Sequence, residues 1–212
     1  MTSGELLHVI VREGVEASLL PLGFKPTDRR LTWSRPANEV NHLIGLLAKG
    51  KRYTIQWSVG CAPAARLLWG DGNVGDISYA VMAGIPSDLI KPAFGDGFAL
   101  TEDVTDENVH DTADGIATDL AAVAQSLERF QTVRGLWRYL MANRDPVDRR
   151  DFSFPTMFPM KIAAATALAL VGGDREGCEL MPEARVALTQ FREKLSLERL
   201  ERLEDAARAV CA

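Results

Sequence analysis

The chain opens on a helical period. Leu7, Ile10, Val11, Val15 and Leu19 recur at helical spacing, with Ser3 as candidate N-cap and Gly23 as candidate stop. Gly14 lies inside this segment and weakens it, since a mid-helix glycine costs about 1 kcal/mol relative to alanine.

The period then shortens to two. Leu31 to Arg35 alternates and halts at the turn signal Pro36-Ala37-Asn38. Val40 to Ala48 follows, and after a short turn at Lys49-Gly50-Lys51 the run Tyr53 to Val59 places Tyr53, Ile55, Trp57 and Val59 on one side. Strict alternation of this kind predicts a half-buried strand with one wet face. The three runs predict an antiparallel meander, with a fourth strand at Ile77 to Met82. The stretch from Ala62 to Gly97, rich in Gly, Pro and Asp, leaves the assignment open.

Beyond Thr105 the helical period returns. Val109, Thr112, Ala113, Ile116, Leu120, Val123, Ala124 and Leu127 form one apolar stripe, which Phe130, Val133, Trp137, Leu140 and Met141 continue after a break near Gly135. Asp145-Pro146 ends that segment. A buried helix is predicted from about Thr156 to Val171, closing at Gly172-Gly173. From Pro182 onward come one or two amphipathic helices in which Leu195, Leu197, Leu200 and Leu203 stand among Glu and Arg. Strands first and helices after predict an α+β fold: an N-terminal helix, an antiparallel meander of three to four strands, and a helical C-terminal half. Residues 1–100 would hold the helix and sheet and 101–212 the helical region, as one domain overall.

Composition narrows the function classes. At 212 residues, 47% hydrophobic and 25% charged, the chain can bury a core without a metal or disulfides. The N-terminus lacks the basic stretch of a signal peptide, and the apolar run Ile162 to Val171 is about half of what a membrane span needs. Cys61, Cys178 and Cys211 form no ligand pattern and predict free thiols in a reducing cytoplasm. A net charge of −5 speaks against a nucleic-acid-binding face.

The segment Leu19 to Lys25 (LLPLGFK), followed by a short strand bearing Trp33 and a hydrophobic hairpin, resembles the DUF4304 family of uncharacterised bacterial proteins. Ala165 to Asp174 (ATALALVGGD) is similar to that family's closing helix. The resemblance covers the first 60 residues best. It implies a fold and carries no activity or catalytic residue.

Four patterns are candidates for chemistry. Gly70 to Gly75 formally matches G-x-G-x-x-G, but Leu67-Leu68-Trp69 after Pro63-Ala64-Ala65-Arg66 is a poor strand, and Asp71 and Asp76 would sit beside any phosphate. From Phe94 to Leu127 there are eight acids and no Lys or Arg. An EF-hand register fails there, because Asn108 and Asp114 occupy the positions that need glycine and glutamate. Thr105 would cap the helix and the first acids would complement its dipole. The density beyond that need points to a surface for a basic partner, with Asp103, Asp106, Glu107, Asp111 and Asp114 as its residues. Arg134 and Arg138, four apart on one face, are candidates for an anion. His8, His42 and His110 stand in no catalytic motif, and no metal or cofactor pattern is present.

The reading favoured is therefore a non-enzymatic module that neutralises a basic protein, as immunity proteins do. The rivals are a phosphate- or small-ligand-binding protein or enzyme using Arg134, Arg138 and the Gly70–Gly75 loop, and a self-associating structural protein.

Overall fold

A computed structural model describes residues 1–70, 80–100, 102–142, 158–190 and 194–212, with only the backbone of 158–160. The α+β class is as expected. The described strands are β1 (Lys25–Pro26), β2 (Thr32–Ala37), β3 (Val40–Lys49), β4 (Arg52–Gly60), β5 (Ala80–Gly84) and β6 (Gly97–Ala99). They form one antiparallel sheet in the order β1-β2-β3-β4-β5, with β6 pairing β4 in the register Tyr53 to Phe98. The meander of β2, β3 and β4 matches the alternating runs. Its turns sit at Asn38 and Gly50, both with positive φ (52° and 65°), which Asn and Gly tolerate best. The fourth strand is described at Ala80–Gly84, which overlaps the expected Ile77 to Met82 and runs two residues beyond it, and residues 77–79 of that expectation lie outside the described residues.

The described helices are α1 (Ser3–Val9), α2 (Ala17–Leu19), α3 (Ala62–Trp69), α4 (Val109–Ser126), α5 (Val133–Ala142), α6 (Phe158–Val171), α7 (Glu176–Thr189) and α8 (Lys194–Val210). No described helix is long and apolar enough to cross a membrane. Two compact units interleave along the chain. The first comprises 1–35, 42–57 and 84–128, and the second 36–41, 58–83 and 129–212. Each has its own packing logic.

In the first unit, the N-terminal helix is not uniform. Thr2, not Ser3, is the N-cap. Its hydroxyl accepts from Glu5 N–H (3.3 Å), and its own N–H donates to Glu5 Oε2 (2.6 Å), closing a capping box. Ile10–Glu16 then widens into a π-helical turn before α2, and the chain stops at Gly23 (φ 84°) as its glycine predicted. Gly14 lies buried in that turn, where a Cβ would stand 3.0 Å from the backbone oxygen of Ala113 on α4. The helical cost of this glycine is thus offset by close packing of two backbones. Against this segment α4 lays its stripe, with Val109, Ala113, Ile116, Leu120 and Val123 all at 0% exposure.

Thr105 does not cap α4. Asn108 holds the N-cap position, and Thr105 N–H donates to Asn108 Oδ1 (2.7 Å) in a turn just before the helix. The break after α4 lies at 130–132, because Gln131 and Thr132 lead into α5. Gly135 sits inside α5.

In the second unit α6 is the central element. It packs against α3, α5, α7 and α8, and Ile162, Ala163, Ala164, Ala165, Ala167, Leu168 and Ala169 are at 0% exposure. It ends at Gly172-Gly173 (Gly173 φ 67°) as expected. The amphipathic C-terminal region begins earlier than Pro182 predicts. Helix α7 starts at Glu176 and carries Pro182 inside it, and α8 follows as a separate helix. Arg199 and Arg202 of α8 donate to the Leu68 and Leu67 carbonyls (2.7 and 2.9 Å), satisfying the C-terminal end of α3. Cys178 and Cys211 are joined as a disulfide between α7 and the residue after α8. The expectation of free thiols is corrected there, and it holds for Cys61 alone. Sequence spacing carried no sign of the pairing, since connectivity follows from which helices meet.

Candidate functional site

The acidic segment divides into carboxylates with structural partners and carboxylates without. Asp119, 3% exposed, accepts from Ala93 N–H and Phe94 N–H (both 2.8 Å), tying the preceding loop to α4. Asp103 accepts from Ala99 N–H (2.7 Å), and Asp96 from Ser87 N–H (2.8 Å). Glu102 pairs with Arg52 (2.7 Å), and Asp106 pairs with the Met1 ammonium. Each of these anchors a turn or a loop. What remains is Glu107, Asp111 and Asp114, which are exposed and have no partner among the described residues.

Asp111 and Asp114 are three apart on α4 and lie away from the stripe that packs on the π-helical turn, so they share one wet face. Glu107 precedes them in the turn that leads into α4. Beside them His110 Nδ1 lies 2.7 Å from Glu13 Oε2 at the surface, so His110 pairs with an acid of the N-terminal segment and not with Asp111. Of the five residues expected at a basic partner's surface, three therefore present free carboxylates, while Asp103 and Asp106 are held by internal contacts.

His42 is fully buried in the same unit. Its Nδ1 accepts from Arg35 Nη2 (3.0 Å), and the Arg35 guanidinium also stacks over Phe24 at 4.7 Å. The pair Trp33 and Trp57 is buried, each 2% exposed, and Trp57 Nε1 donates to the Ile85 carbonyl (2.8 Å). Both rings are core.

In the second unit Arg134 is engaged internally. Arg134 donates from Nε to Asp174 Oδ2 (3.2 Å) and from Nη2 to Asp174 Oδ1, while Trp137 Nε1 donates to the same Oδ2 (2.9 Å). The Arg134 hydrogen bond, then that of Trp137, holds the buried Asp174 carboxyl below its ordinary value, and the same contact raises Arg134. Arg138 lies over the Trp137 ring at 5.6 Å, and Arg129 over Phe130 at 4.7 Å. Arg134 thus pairs with Asp174, and Arg138 stands over the ring of its neighbour Trp137. Arg144, Arg149 and Arg150 lie outside the described residues, as do residues 71–75 of the glycine motif. Leu67 to Trp69, which precede that motif, are the last turn of α3, so helix rather than strand leads into it.

Around the Arg134–Asp174 pair the second unit opens a cleft of about 670 Å³, lined also by Glu39, Cys61, Pro63, Thr132, Val133, Val171 and Gly172. Two side chains cap the first turn of α5 here. Glu39 Oε2 accepts from Val133 N–H (2.8 Å), and Thr132 Oγ1 accepts from Gly135 N–H (3.0 Å). Burial pushes the Cys61 thiol above its usual value, the Ala64 N–H opposes this, and the nearby Glu39 charge adds to it. A thiol so placed stays protonated at neutral pH and is a poor nucleophile. No group of three or more metal-ligating side chains occurs among the described residues. Of the cleft, sequence reasoning named only Arg134. The other lining residues come from four separated stretches, and only Gly172-Gly173-Asp174, a helix stop with an acid, carried a local signal. No family model, no curated protein and no solved structure matches this chain.

Proposed function

We propose that the protein is a binding module, not an enzyme, and that its first unit engages a basic protein through the outer face of α4. One observation supports this most directly. Glu107, Asp111 and Asp114 are exposed like charges with no compensating cation among the described residues, although every other acid of the segment has been put to structural use. Like charges three or four apart on a helix cost roughly 0.2–0.5 kcal/mol per pair. Asp111 in the first turn and Glu107 before it also complement the α4 dipole, but Asp114, beyond that turn, has no such use. A partner bearing Lys or Arg would relieve that repulsion and be drawn in faster by it. Neutralisation of such a partner, in the manner of an immunity protein, is the form this reading takes.

Membership of the DUF4304 family and a cytoplasmic location belong to the same proposal. The Cys178–Cys211 bond weighs against that location, because structural disulfides persist mainly in oxidising compartments.

The test is a capture experiment from native lysate with the wild-type chain and with a Glu107→Gln/Asp111→Asn/Asp114→Asn variant. The wild type should retain a saturable basic protein at low salt and release it as salt rises. The variant should retain at least tenfold less. If nothing saturable is retained, or the variant holds the same partner equally well, the proposal is wrong.

A further inference from the structure

We infer that the cleft of the second unit is a binding site for a small organic cation, an ammonium or guanidinium carried on a short apolar body. This is independent of the α4 surface and goes beyond it.

The cleft's volume of about 670 Å³ lies within the range of small-molecule sites, roughly 300–1,000 Å³. Its lining also has their composition: Pro63, Val133 and Val171 supply apolar walls, and a few polar groups converge between them. Charge decides the ligand class. Arg134 and Asp174 form an ion pair in which two guanidinium donors are spent on one carboxylate, so together they are neutral. Glu39 is left as the uncompensated charge among the described lining residues. Only its Oε2 is used, on the Val133 N–H, and Oε1 has no partner among the described residues. Because Glu39 already complements the positive end of α5, the helix dipole offers little to an incoming anion. An anion approaching the remaining N–H donors of Arg134 would still meet the Glu39 and Asp174 carboxylates beside them. A cation meets an open carboxylate oxygen instead, in a charge-assisted hydrogen bond.

The experiment uses the native protein and three probes of one shape: phenethylammonium, phenethyl alcohol and 3-phenylpropionate. Calorimetric titration should rank the ammonium at least tenfold tighter than the carboxylate, with the alcohol between. Glu39→Gln keeps a carbonyl oxygen for the Val133 N–H but removes the charge, and should weaken the ammonium about tenfold while a cooperative unfolding transition is retained. The inference is overturned if the carboxylate binds as well as the ammonium, or if Glu39→Gln binds the ammonium as wild type does. Should Glu39→Gln fold poorly, the charge ranking on the native chain decides by itself.

Discussion

Helices α4 and α6 are of similar length and bury their neighbours by opposite means. Helix α4 shows one apolar stripe to the π-helical turn and keeps Glu107-flanked, charged positions on its far side. Helix α6 has no far side: α3, α5, α7 and α8 surround it, and even its Thr166 turns its hydroxyl inward to the Ile162 carbonyl (2.8 Å). A helix with one wet face is free to evolve a surface. A helix wrapped by four others can only be packed, and its small alanines let those neighbours approach. Function in this molecule is therefore expected on α4 and at the rim of the α6 bundle, not along α6.

The largest effect should come from testing that contrast directly. Ala165→Asp places an unpaired charge at 0% exposure in α6 and should cost more than about 4 kcal/mol, read as loss of the cooperative unfolding transition. If the variant unfolds like wild type, α6 is not enclosed and the comparison fails.

Next is the buried acid at the end of α6. Asp174→Ala removes the acceptor of Trp137 Nε1 and leaves that donor unpaired beside an 8%-exposed ring, at a cost of about 2–3 kcal/mol in a denaturant titration. The same residue sets a pH dependence. Its carboxyl is lowered in the folded state, so its contribution is complete above the ordinary aspartate value and is lost as pH falls through the lowered one. Below about pH 4, wild type should lose stability more steeply than Asp174→Asn. Parallel slopes would show that Asp174 is not held as described.

A smaller effect belongs to the contact of α4 with the N-terminal segment. Gly14→Ala gains helix propensity but drives a Cβ to 3.0 Å from the Ala113 backbone oxygen, which cannot rotate away. The net result should be destabilisation by about 1 kcal/mol, seen as a lower melting temperature. A stabilised variant would mean the two backbones are not closely packed. Smallest of all is Gln125→Lys on the exposed side of α4, which should change stability by no more than about 0.5 kcal/mol in the same measurement. A loss as large as that of Ala165→Asp would erase the distinction between the two helices.

The sheet and the long helices were legible because each was written locally. Tyr53, Ile55, Trp57 and Val59 alternate, and the stripe from Val109 to Leu127 repeats at helical spacing, so no distant residue is needed to read them. The π-helical turn was not legible, since no local residue pattern announces it and Gly14 within it packs against the backbone of Ala113, far off in the sequence. The start of α7 was misjudged because Pro182 reads as a boundary, yet the helix tolerates it six residues in. The acidic cluster was visible as a count, but which acids were already spent on Ala93, Phe94, Ala99 and Ser87 could only be learned from the loops they hold. The cleft has no local signature at all. Glu39, Cys61, Thr132 and Asp174 meet only after four elements have folded together.

The bond between Cys178 and Cys211 closes a ring of chain with a sequence separation of 33, and α8 lies wholly inside it. Closing such a ring removes freedom from the unfolded chain worth about 3–4 kcal/mol in the loop-entropy account. It also changes what a protease can accomplish. A single cut between α7 and α8 opens the ring without releasing either piece, so α8 and the Arg199 and Arg202 contacts it brings to α3 stay tethered to the molecule. Only reduction and cleavage together would set that helix loose.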